Sequence, residues 1–422
     1  MKDRVYTIPG VYFETPRSRE LRLKGVPVGV TGFIGYCRRK VGRAGTTSGP
    51  LWPIMIESAE QIHELIEVPY WSNMVYALYG FFANGGHKCF VVGISEEEVH
   101  SQVNLLGGGE PGHRYGLAAL DAAEEVELIA APDLYLVPPG LPDPELNEVL
   151  VNIYTILDFC KGFTEQDRVS QGGYFAILDA PPELSEETVV EFARILRNHP
   201  NADHAALFYP WIDVMRGDGL LHRIPPSGQL SGILSGASKP GEGELPGSVG
   251  FNNGPHLSAG NKVVADAISA EIALRRTSLQ TQMEANVNCL VSWPTRGIVV
   301  WGTRTLSPQK ELNQISVRRV LSYIERSIYV GTQWAVFEPN DMSLWKRMTS
   351  TIEIFLDDLW KKGILVGDSP EEAFIVQCDE ENNPPSEQDE GRLNIMVLVK
   401  PVRSTEYIVI QITHETAGGG GE

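Results

Sequence analysis

Two aspartates stand where enzymes built from alternating strands and helices often hold catalytic acids. Asp133 follows the apolar run VELIAAP, and Asp179 ends the run YFAILD; both runs are predicted strands. Because ligands of such folds bind at the carboxyl ends of the strands, an acid there could act as the general base of a hydrolase. Neither aspartate has a base, a nucleophile or a metal ligand near it in sequence. We therefore interpret both as helix-capping or loop acids, and a hydrolase is the alternative.

The other residues that could carry chemistry form no known pattern. His199 and His204 are five residues apart across a turn that contains proline, which is not the spacing of a metal-binding HExxH helix. The five cysteines are scattered without a CxxC pair, which predicts buried thiols, a reducing compartment and no metal framework. No strand is followed by the glycine spacing of a phosphate-binding loop. The chain is predicted to use no metal or cofactor and not to be an enzyme.

Charge and hydropathy restrict the partners. The net charge of −19 argues against nucleic acid, because phosphate contacts need a basic surface. Residues 1–43 contain ten Lys or Arg and three acids, whereas residues 364–391 contain nine acids and no base. These two oppositely charged regions could support head-to-tail self-association of the chain. A solvated acidic loop explains the acidic region, residues 364–391, equally well. Without a signal-peptide core or a run of 18 apolar residues, we expect assembly in the cytoplasm and no membrane insertion.

Short apolar runs alternate with amphipathic helices over the first half of the chain. Strands are predicted at VPVGVTGFIGYC, CFVVGI, VELIAAPD, YFAILDAP and HAALFYPWI, and helices at SAEQIHELI, VYALYGFFANGG, LNEVLVNIYTILDFC and SEETVVEFARILRN, the last with Ser185 as its N-cap. Residues 217–260 are rich in Gly, Pro and Ser and are predicted to be loop, followed by a helix over about 262–281. This alternation predicts a mixed α/β fold with parallel βαβ units.

Two long amphipathic helices are predicted in the last quarter of the chain. The first ends at Gly331 and the second at Gly363. The apolar residues of the second helix share one face; they are Trp345, Met348, Ile352, Phe355 and Leu359. Near its end, Lys361 and Lys362 each follow an aspartate four residues earlier, the favourable order for an ion pair. The runs AFIVQC, LNIMVLVKPV and YIVIQI are predicted strands.

Both ends of the chain contain short strand-forming segments. Their residues are Val5, Tyr6, Thr7, Ile8, Val11 and Tyr12 near the N-terminus, and Tyr407, Ile408, Val409, Ile410, Gln411 and Ile412 near the C-terminus. An extended segment of this kind can add to the sheet edge of a neighbouring subunit. Exchange between subunits and ordinary edge strands within one subunit both fit the pattern.

Four blocks carry a family resemblance. They are IPGVYFE with GVPVGVTGFIG; YALYGFFANGGHKCFVVGI; FYPW with IPPSGQLSGI; and residues 296–412, which contain RGIVVWGTRTLS, GTQWAVFEPND and GRLNIMVLVKPVRSTEYIVIQI. In this order they resemble the contractile tail sheath proteins of phages and of phage-tail-like injection particles. The stretch GSVGFNNGPHLSAGNK and the Gly-rich tail depart from the family pattern. This departure would suit a minor sheath isoform in a ring near the baseplate or cap.

The resemblance implies a discontinuous domain organisation. Residues 26–100 and 285–403 would form an inner sheath domain made of N- and C-terminal segments. Residues 101–284 would be an inserted outer α/β domain with parallel βαβ units. Residues 1–25 would be an extended arm, and residues 404–422 an arm strand followed by a disordered Gly-rich tail.

The resemblance also implies a function. Six subunits would form a ring, rings would stack around an inner tube, and contraction from a metastable extended state would drive the tube through a target membrane. The partners would be further copies of the chain, the inner tube protein, and baseplate and terminal cap proteins, with Lys361 and Lys362 as the candidate tube contact. The finished particle would be phage-like, extracellular or anchored to a cell. A static shell that never shortens is a third interpretation.

Overall fold

The computed structural model describes residues 23–40, 53–94, 105–108, 114–140, 145–162, 164–165, 168–169, 172–215, 217–236, 262–272, 274 and 276–403. These residues form two compact units, and the division falls inside a long helix. The larger unit comprises Val26–Arg326 and, among the described residues, 401–403. The smaller one comprises Ser327–Lys400 with the end of the N-terminal segment, up to Gly25.

The strands are β1 (Val30–Tyr36), β2 (Arg38–Arg39), β3 (Ile54–Ile56), β4 (Ile66–Glu67), β5 (Cys89–Ile94), β6 (Val126–Ala130), β7 (Thr164–Glu165), β8 (Arg168–Val169), β9 (Phe175–Asp179), β10 (Ala205–Tyr209), β11 (Ile212–Met215), β12 (Leu221–Ile224), β13 (Ala267–Ala270), β14 (Val287–Trp293), β15 (Gly297–Trp301), β16 (Phe374–Gln377) and β17 (Met396–Val399). The α-helices are α1 (Gln61–Leu65), α2 (Met74–Ala83), α3 (Leu146–Lys161), α4 (Glu186–Arg197), α5 (Ser227–Gly236), α6 (Arg276–Glu284), α7 (Ile315–Gly331), α8 (Met342–Lys361), α9 (Pro370–Ala373) and α10 (Pro385–Asp389). Short 3-10 helices span Leu117–Ala122, Ala202–His204 and Gln333–Ala335.

One eight-stranded sheet organises the larger unit, in the order β15-β14-β10-β9-β6-β1-β5-β3. The six inner strands pair in parallel, and the two edge strands, β15 and β3, run antiparallel to their neighbours. Parallel sheets are covered on both faces, which is why every residue of β1, β6, β9 and β10 is buried. The prediction of a mixed α/β fold with parallel βαβ units is confirmed.

The sheet crosses the boundaries of the predicted domains. Strands β6, β9 and β10, from the predicted outer domain, lie in its middle, and strands from the predicted inner domain lie on both sides. This happens because β6 pairs directly with β1, and β10 pairs directly with β14. The two compact units divide within α7, and the predicted inner and outer domains stay a prediction. Which parts face inward or outward in an assembly stays a prediction.

Two sequence predictions between residues 217 and 281 are wrong. The predicted loop contains β12 and the helix α5, and the predicted helix is replaced by β13 and a later helix, α6. Helix α5, SGQLSGILSG, has a composition that disfavours isolated helices, yet Ser227–Ser235 are all buried. Tertiary packing against α2 therefore outweighs the weak intrinsic propensity of this segment.

Asp133 holds the start of α2. Its carboxylate accepts hydrogen bonds from the backbone N–H of Tyr36 (2.9 Å) and of Asn73 (2.7 Å), and from the hydroxyl of Ser72 (2.6 Å). Because Asn73 precedes the first residue of α2, the carboxylate satisfies donors that the helix itself leaves free. Burial raises the pKa of Asp133 to about 6, although its hydrogen bonds act in the opposite direction. The interpretation as a capping acid is confirmed.

Replacing Asp133 with alanine is expected to lower the free energy of unfolding by about 4 kcal/mol, because three buried donors lose their acceptor. Glu64→Ala, on the exposed face of α1, is the control and should change stability by less than about 0.5 kcal/mol. Urea denaturation of both variants measures the difference. A loss below about 1 kcal/mol for Asp133→Ala would contradict the capping role.

Asp179 has the equivalent position at the start of α5. Its carboxylate accepts a hydrogen bond from the backbone N–H of Ser227, the first residue of that helix, at 2.9 Å. Burial raises the pKa of Asp179 to about 7. The two acids considered for a hydrolase thus each serve a helix N-terminus at the carboxyl end of a sheet strand.

The raised pKa of Asp179 predicts a pH effect on stability. Folded Asp179 keeps its proton up to about pH 7, whereas the unfolded carboxyl loses it near its ordinary pKa of 3.8. The folded state therefore binds more protons in this interval, and this contribution to stability falls as pH rises from 4 to 7. Asp179→Asn should remove the dependence, so the wild type should lose on the order of 3 kcal/mol relative to the variant. Denaturation across this pH range measures it; a constant difference would contradict the assignment.

A buried ion pair fastens α7 within the larger unit. The Arg319 guanidinium donates to the Glu127 carboxylate of β6 at 2.6 and 2.9 Å, and the backbone N–H of Gly29 donates to the same carboxylate at 2.5 Å. Burial alone would raise the pKa of Glu127, but the Arg319 charge and the hydrogen bonds hold it below its ordinary value. Removal of either partner would leave an uncompensated buried charge, so the pair fixes the position of α7 on the sheet.

Candidate assembly surface

Helix α8 is the longest helix of the smaller unit, and its sequence explains both of its ends. The Asp341 carboxylate accepts a hydrogen bond from the backbone N–H of Leu344 at 2.9 Å and caps the N-terminus. Gly363, with a φ of 74°, ends the helix in the left-handed conformation that favours glycine. The residues of the predicted apolar stripe are all buried, as the helical spacing indicated: Trp345, Met348, Ile352, Phe355 and Leu359.

The candidate tube contact lies at the C-terminal end of α8. Lys361 is 64% exposed and pairs with Asp357 at 2.5 Å, and Lys362 is 37% exposed and pairs with Asp358 at 2.8 Å. The predicted i,i+4 pairs are confirmed. Because each lysine already has an acid beside it, this end of the helix presents alternating charges rather than a positive patch.

Strands β16 and β17 form an antiparallel sheet of two strands. Neither of them pairs with a third strand among the residues that the structure describes. Ile375 lies opposite Leu398, and Gln377 lies opposite Met396. Ile375 and Leu398 are each 51% exposed, and Met396 is 42% exposed. One face of the sheet is therefore apolar and open to solvent. A sheet of two strands is marginally stable in water and gains from added strands.

The loop between these strands is tied down by Asn383, which is fully buried. Its side chain accepts from the backbone N–H of Asn394 at 2.6 Å and donates to the Asn394 carbonyl at 2.9 Å, as a paired strand residue would. Nearby, the Arg392 guanidinium bonds Glu387 and lowers the pKa of that carboxyl to about 2. The loop thus holds β16 and β17 in register without a tight turn.

A groove runs between α8 and β16, and we call it the α8–β16 groove. It consists of three adjoining cavities, the largest of about 550 Å³, and neighbouring cavities share lining residues. Glu353 and Val376 join the first two, and Lys346, Cys378 and Asp379 join the second to the third. The groove is thus continuous along the exposed side of α8.

A second apolar feature precedes α8. Phe337 is fully exposed, at 102%, and has a φ of 70°, which is strained for an aromatic residue. Its neighbour Val336 and the first helical residue, Met342, are also more than half exposed. Large apolar side chains held outward in this way are typical of contact surfaces.

The remaining predicted site residues lie elsewhere or outside the described residues. Both terminal segments, residues 5–12 and 407–412, lie outside them. His199 stacks on Tyr154 with ring centroids 4.8 Å apart, and His204 is buried with Nδ1 3.0 Å from the Tyr174 carbonyl oxygen. Among the described residues, no group of three or more His, Cys, Asp or Glu is placed to hold a metal. All five cysteines are buried free thiols, as their spacing predicted.

Sequence reasoning missed the groove, although a signal for it exists. The run MVLV alternates between exposed and half-buried positions, and Ile375 in FIVQ is exposed between two half-buried neighbours, which is typical of a sheet open on one face. The acids that line the groove belong to the acidic pole of residues 364–391 and to the helix before it. Their convergence depends on the placement of α8 beside β16, which no local pattern encodes.

No helix in the described part of the chain is long and apolar enough to span a bilayer.

Known proteins resemble this region and most of the rest of the chain. A family model for the phage tail sheath C-terminal domain matches residues 307–415. The tail sheath protein of Vibrio phage KVP40 is 25% identical over 188 residues, which is 44% of this chain and 26% of that protein. The matched part of the chain thus spans about a quarter of the phage protein. A putative prophage major tail sheath protein of Pseudomonas aeruginosa is 21% identical over 409 residues, 95% of this chain and 96% of that protein.

The fold is shared with a solved sheath. The helical sheath of the anti-feeding prophage in its contracted state has a TM-score of 0.67 at 22% identity, over 97% of this chain and 100% of that chain. The resemblance first seen in the four sequence blocks is confirmed by these independent matches. The chain is thus similar to contractile tail sheath proteins, and its residues 307–415 match the phage tail sheath C-terminal domain.

Proposed function

We propose that the chain is the sheath subunit of a contractile, phage-tail-like injection machine, and that it polymerises by exchanging strands between subunits. The observation that carries the proposal is the two-stranded β16–β17 sheet, which lies in the family-matched region and exposes an apolar face. Strands donated by neighbouring copies would pair with its edges and add main-chain hydrogen bonds. The segments containing residues 5–12 and 407–412 are the donors in this proposal.

Hexameric rings stacked around an inner tube are the assembly we propose. The end of α8, with Lys361 and Lys362, is its tube contact. Because each lysine pairs with an aspartate, the tube must offer both signs of charge, and binding would exchange existing ion pairs for new ones. Val336 and Phe337 supply a further apolar contact within the assembly. Residues 26–100 with 285–403 are proposed to face the tube, and residues 101–284 to face outward. Baseplate and cap proteins would terminate the stack.

The energy for contraction would be stored at assembly. In the proposal, the extended lattice is kinetically trapped, and the contracted lattice buries more surface between subunits. Switching a two-state element from 1:99 to 99:1 takes about 5.5 kcal/mol of bias. If exchanged strands couple six subunits, about 1 kcal/mol per subunit supplies that total. The folded body of each subunit would move as a rigid body while the exchanged strands stay paired. This motion would drive the tube through a target membrane.

Electron microscopy of the chain expressed with its tube and baseplate partners tests this function. Extended particles should shorten and widen after a trigger such as mild denaturant or contact with a target membrane. Particles that keep their length would indicate a static shell. Absence of any particle, from a chain that is folded by circular dichroism, would contradict the sheath role. A subunit found only in the ring nearest the baseplate or cap would identify a minor isoform.

A further inference from the structure

We propose that Asp203, His204 and Arg318 form an acid-sensitive latch within the larger unit. At neutral pH the latch fastens the first turn of α7 to the 3-10 helix Ala202–His204, and it releases that turn when His204 gains a proton. None of the three residues belongs to the assembly surfaces described above. The latch is a property of the folded subunit, so it does not depend on the proposed function.

Arg318 joins two elements of the larger unit. Its guanidinium donates to the Asp203 carboxylate at 3.2 Å and to the Glu325 carboxylate, two turns further along α7, at 2.8 Å. The side chains of Arg318 and Asp203 are only 5% and 14% exposed, whereas that of Glu325 is 51% exposed. The shielded pair with Asp203 therefore connects α7 to another element, and the pair with Glu325 lies within the helix itself.

His204 is the titratable side chain that faces this shielded pair. It is buried, and its Nδ1 lies 3.0 Å from the Tyr174 carbonyl oxygen. Because a carbonyl oxygen only accepts, the neutral ring carries its hydrogen on Nδ1 and leaves a lone pair on Nε2. That nitrogen forms no hydrogen bond to any described residue and lies 3.8 Å from Oδ2 of Asp203. Nε2 is thus a buried position that a proton can take.

A proton on Nε2 changes the partner of Asp203. It turns the nitrogen into a charged donor that faces Oδ2 of Asp203, the same oxygen to which Arg318 donates. Two cations then compete for one shielded carboxylate oxygen, and Arg318 has a second acceptor in Glu325. Arg318 therefore leaves Asp203 without losing every counter-charge, and the link between α7 and the 3-10 helix is lost.

The groups around His204 keep it neutral at neutral pH. Burial lowers the pKa of His204 most, the Arg318 charge lowers it further, and Lys161 at the end of α3 acts in the same direction. The Asp203 charge and the hydrogen bond to the Tyr174 carbonyl oppose this shift without reversing it. The latched state therefore binds fewer protons than a state with an exposed His204, so the release is favoured as pH falls below the ordinary value of 6.5.

The other polar anchors of α7 do not titrate in this range. Arg319 pairs with Glu127, and the pKa of that carboxyl is held below its ordinary value. Arg326 donates to the backbone carbonyl oxygens of Glu124 and Val126, which carry no titratable proton. These contacts persist in mild acid, so the release is confined to the first turns of α7.

Amide hydrogen exchange of the full-length chain at pH 7.5 and at pH 5 tests the latch. The protection of each amide is taken relative to its intrinsic exchange rate at that pH. The amides of residues 319–323 should lose about tenfold of their protection at pH 5, because the loss of one charge-assisted hydrogen bond shifts an opening equilibrium by about this factor. The amides of α4, which makes no contact with the latch residues, serve as the internal reference.

Three variants identify the group that senses acid. His204→Asn keeps a donor for the Tyr174 carbonyl oxygen and cannot become charged, so acid should no longer change the protection of residues 319–323. Glu325→Gln weakens the second acceptor of Arg318, and the loss should shrink to about threefold. His63→Asn, an exposed histidine of α1, is the control and should show the full loss. Glu325 is half exposed, so its variant keeps the test informative if the buried substitution at position 204 prevents folding.

Two results would overturn the latch. The first is equal protection of residues 319–323 at the two pH values in the wild type, or an equal loss in α4, which would indicate general acid unfolding. The second is an undiminished tenfold loss in His204→Asn or in Glu325→Gln, which would show that another group senses the acid.

Discussion

Proline at positions 408 and 410 is expected to abolish polymerisation and to leave a folded monomer. Both residues lie in the C-terminal strand-forming segment, which the proposal pairs with a neighbouring sheet. Proline lacks the backbone N–H that a ladder needs and fixes φ away from the strand value. The loss of two hydrogen bonds of about 1.4 kcal/mol each raises the concentration needed for assembly about a hundredfold. Negative-stain microscopy and sedimentation measure both consequences.

The matched control is Ile408→Val with Ile410→Val, which keeps the donors and the β-branched character of the segment. This variant should polymerise like the wild type. Deletion of residues 1–13 should produce the same monomer as the proline variant, because it removes the other donated strand. Contractile sheaths in micrographs of the proline variant or the deletion would show that strand exchange is not what holds the polymer together.

Replacing Gly232 with alanine is expected to lower the free energy of unfolding by about 3 kcal/mol, although alanine favours helices more than glycine by about 1 kcal/mol. A Cβ at this position would lie 2.2 Å from the backbone oxygen of Phe81 in α2, and one at Gly228 would lie 2.4 Å from the Cα of Ala77. Both clashes involve backbone atoms, so α5 and α2 must move apart and leave their partners underpacked. Denaturation monitored by circular dichroism measures the loss.

Gly217→Ala is the control for this substitution. Gly217 is exposed, no atom lies within 4 Å of its would-be Cβ, and its backbone is one that any residue adopts. Its replacement should leave stability unchanged or raise it by about 0.5 kcal/mol. Equal effects of the two substitutions would show that the close approach of α5 and α2 contributes nothing.

The sequence predicts an element well when that element carries its own signal. Helix α8 combines a capping Asp341, an apolar stripe at helical spacing and a terminal Gly363, and all three features are as predicted. Ser185 likewise caps α4, accepting a hydrogen bond from the backbone N–H of Thr188 at 3.2 Å. In both cases the residues that start, stabilise and end the helix are close in sequence.

Helix α5 shows why other elements cannot be predicted from the local sequence. Its glycines and serines suggest a loop, and its stability comes from a neighbour about 150 residues earlier in the chain. In retrospect, glycine at 228, 232 and 236 is a spacing of four, which indicates close helix packing. The order of the eight-stranded sheet has no local signature, because most of its neighbouring strands are far apart in sequence.

The candidate site was predicted in its parts and not in its geometry. The paired lysines of α8 and the two strands after it could be read from spacing alone. The groove that joins them could not, because it exists only where α8 lies beside β16. The capping role of Asp133 was predicted because no reactive partner lies near it in sequence, and its hydrogen bonds to Asn73 and Ser72 confirm that role.

A high-resolution map of the assembled sheath is the most direct test of strand exchange. Strand exchange predicts additional strands beside β16 and β17 that trace to the tails of neighbouring subunits. A map in which both tails return to their own subunit, and β16 and β17 pair with no neighbour, would contradict it.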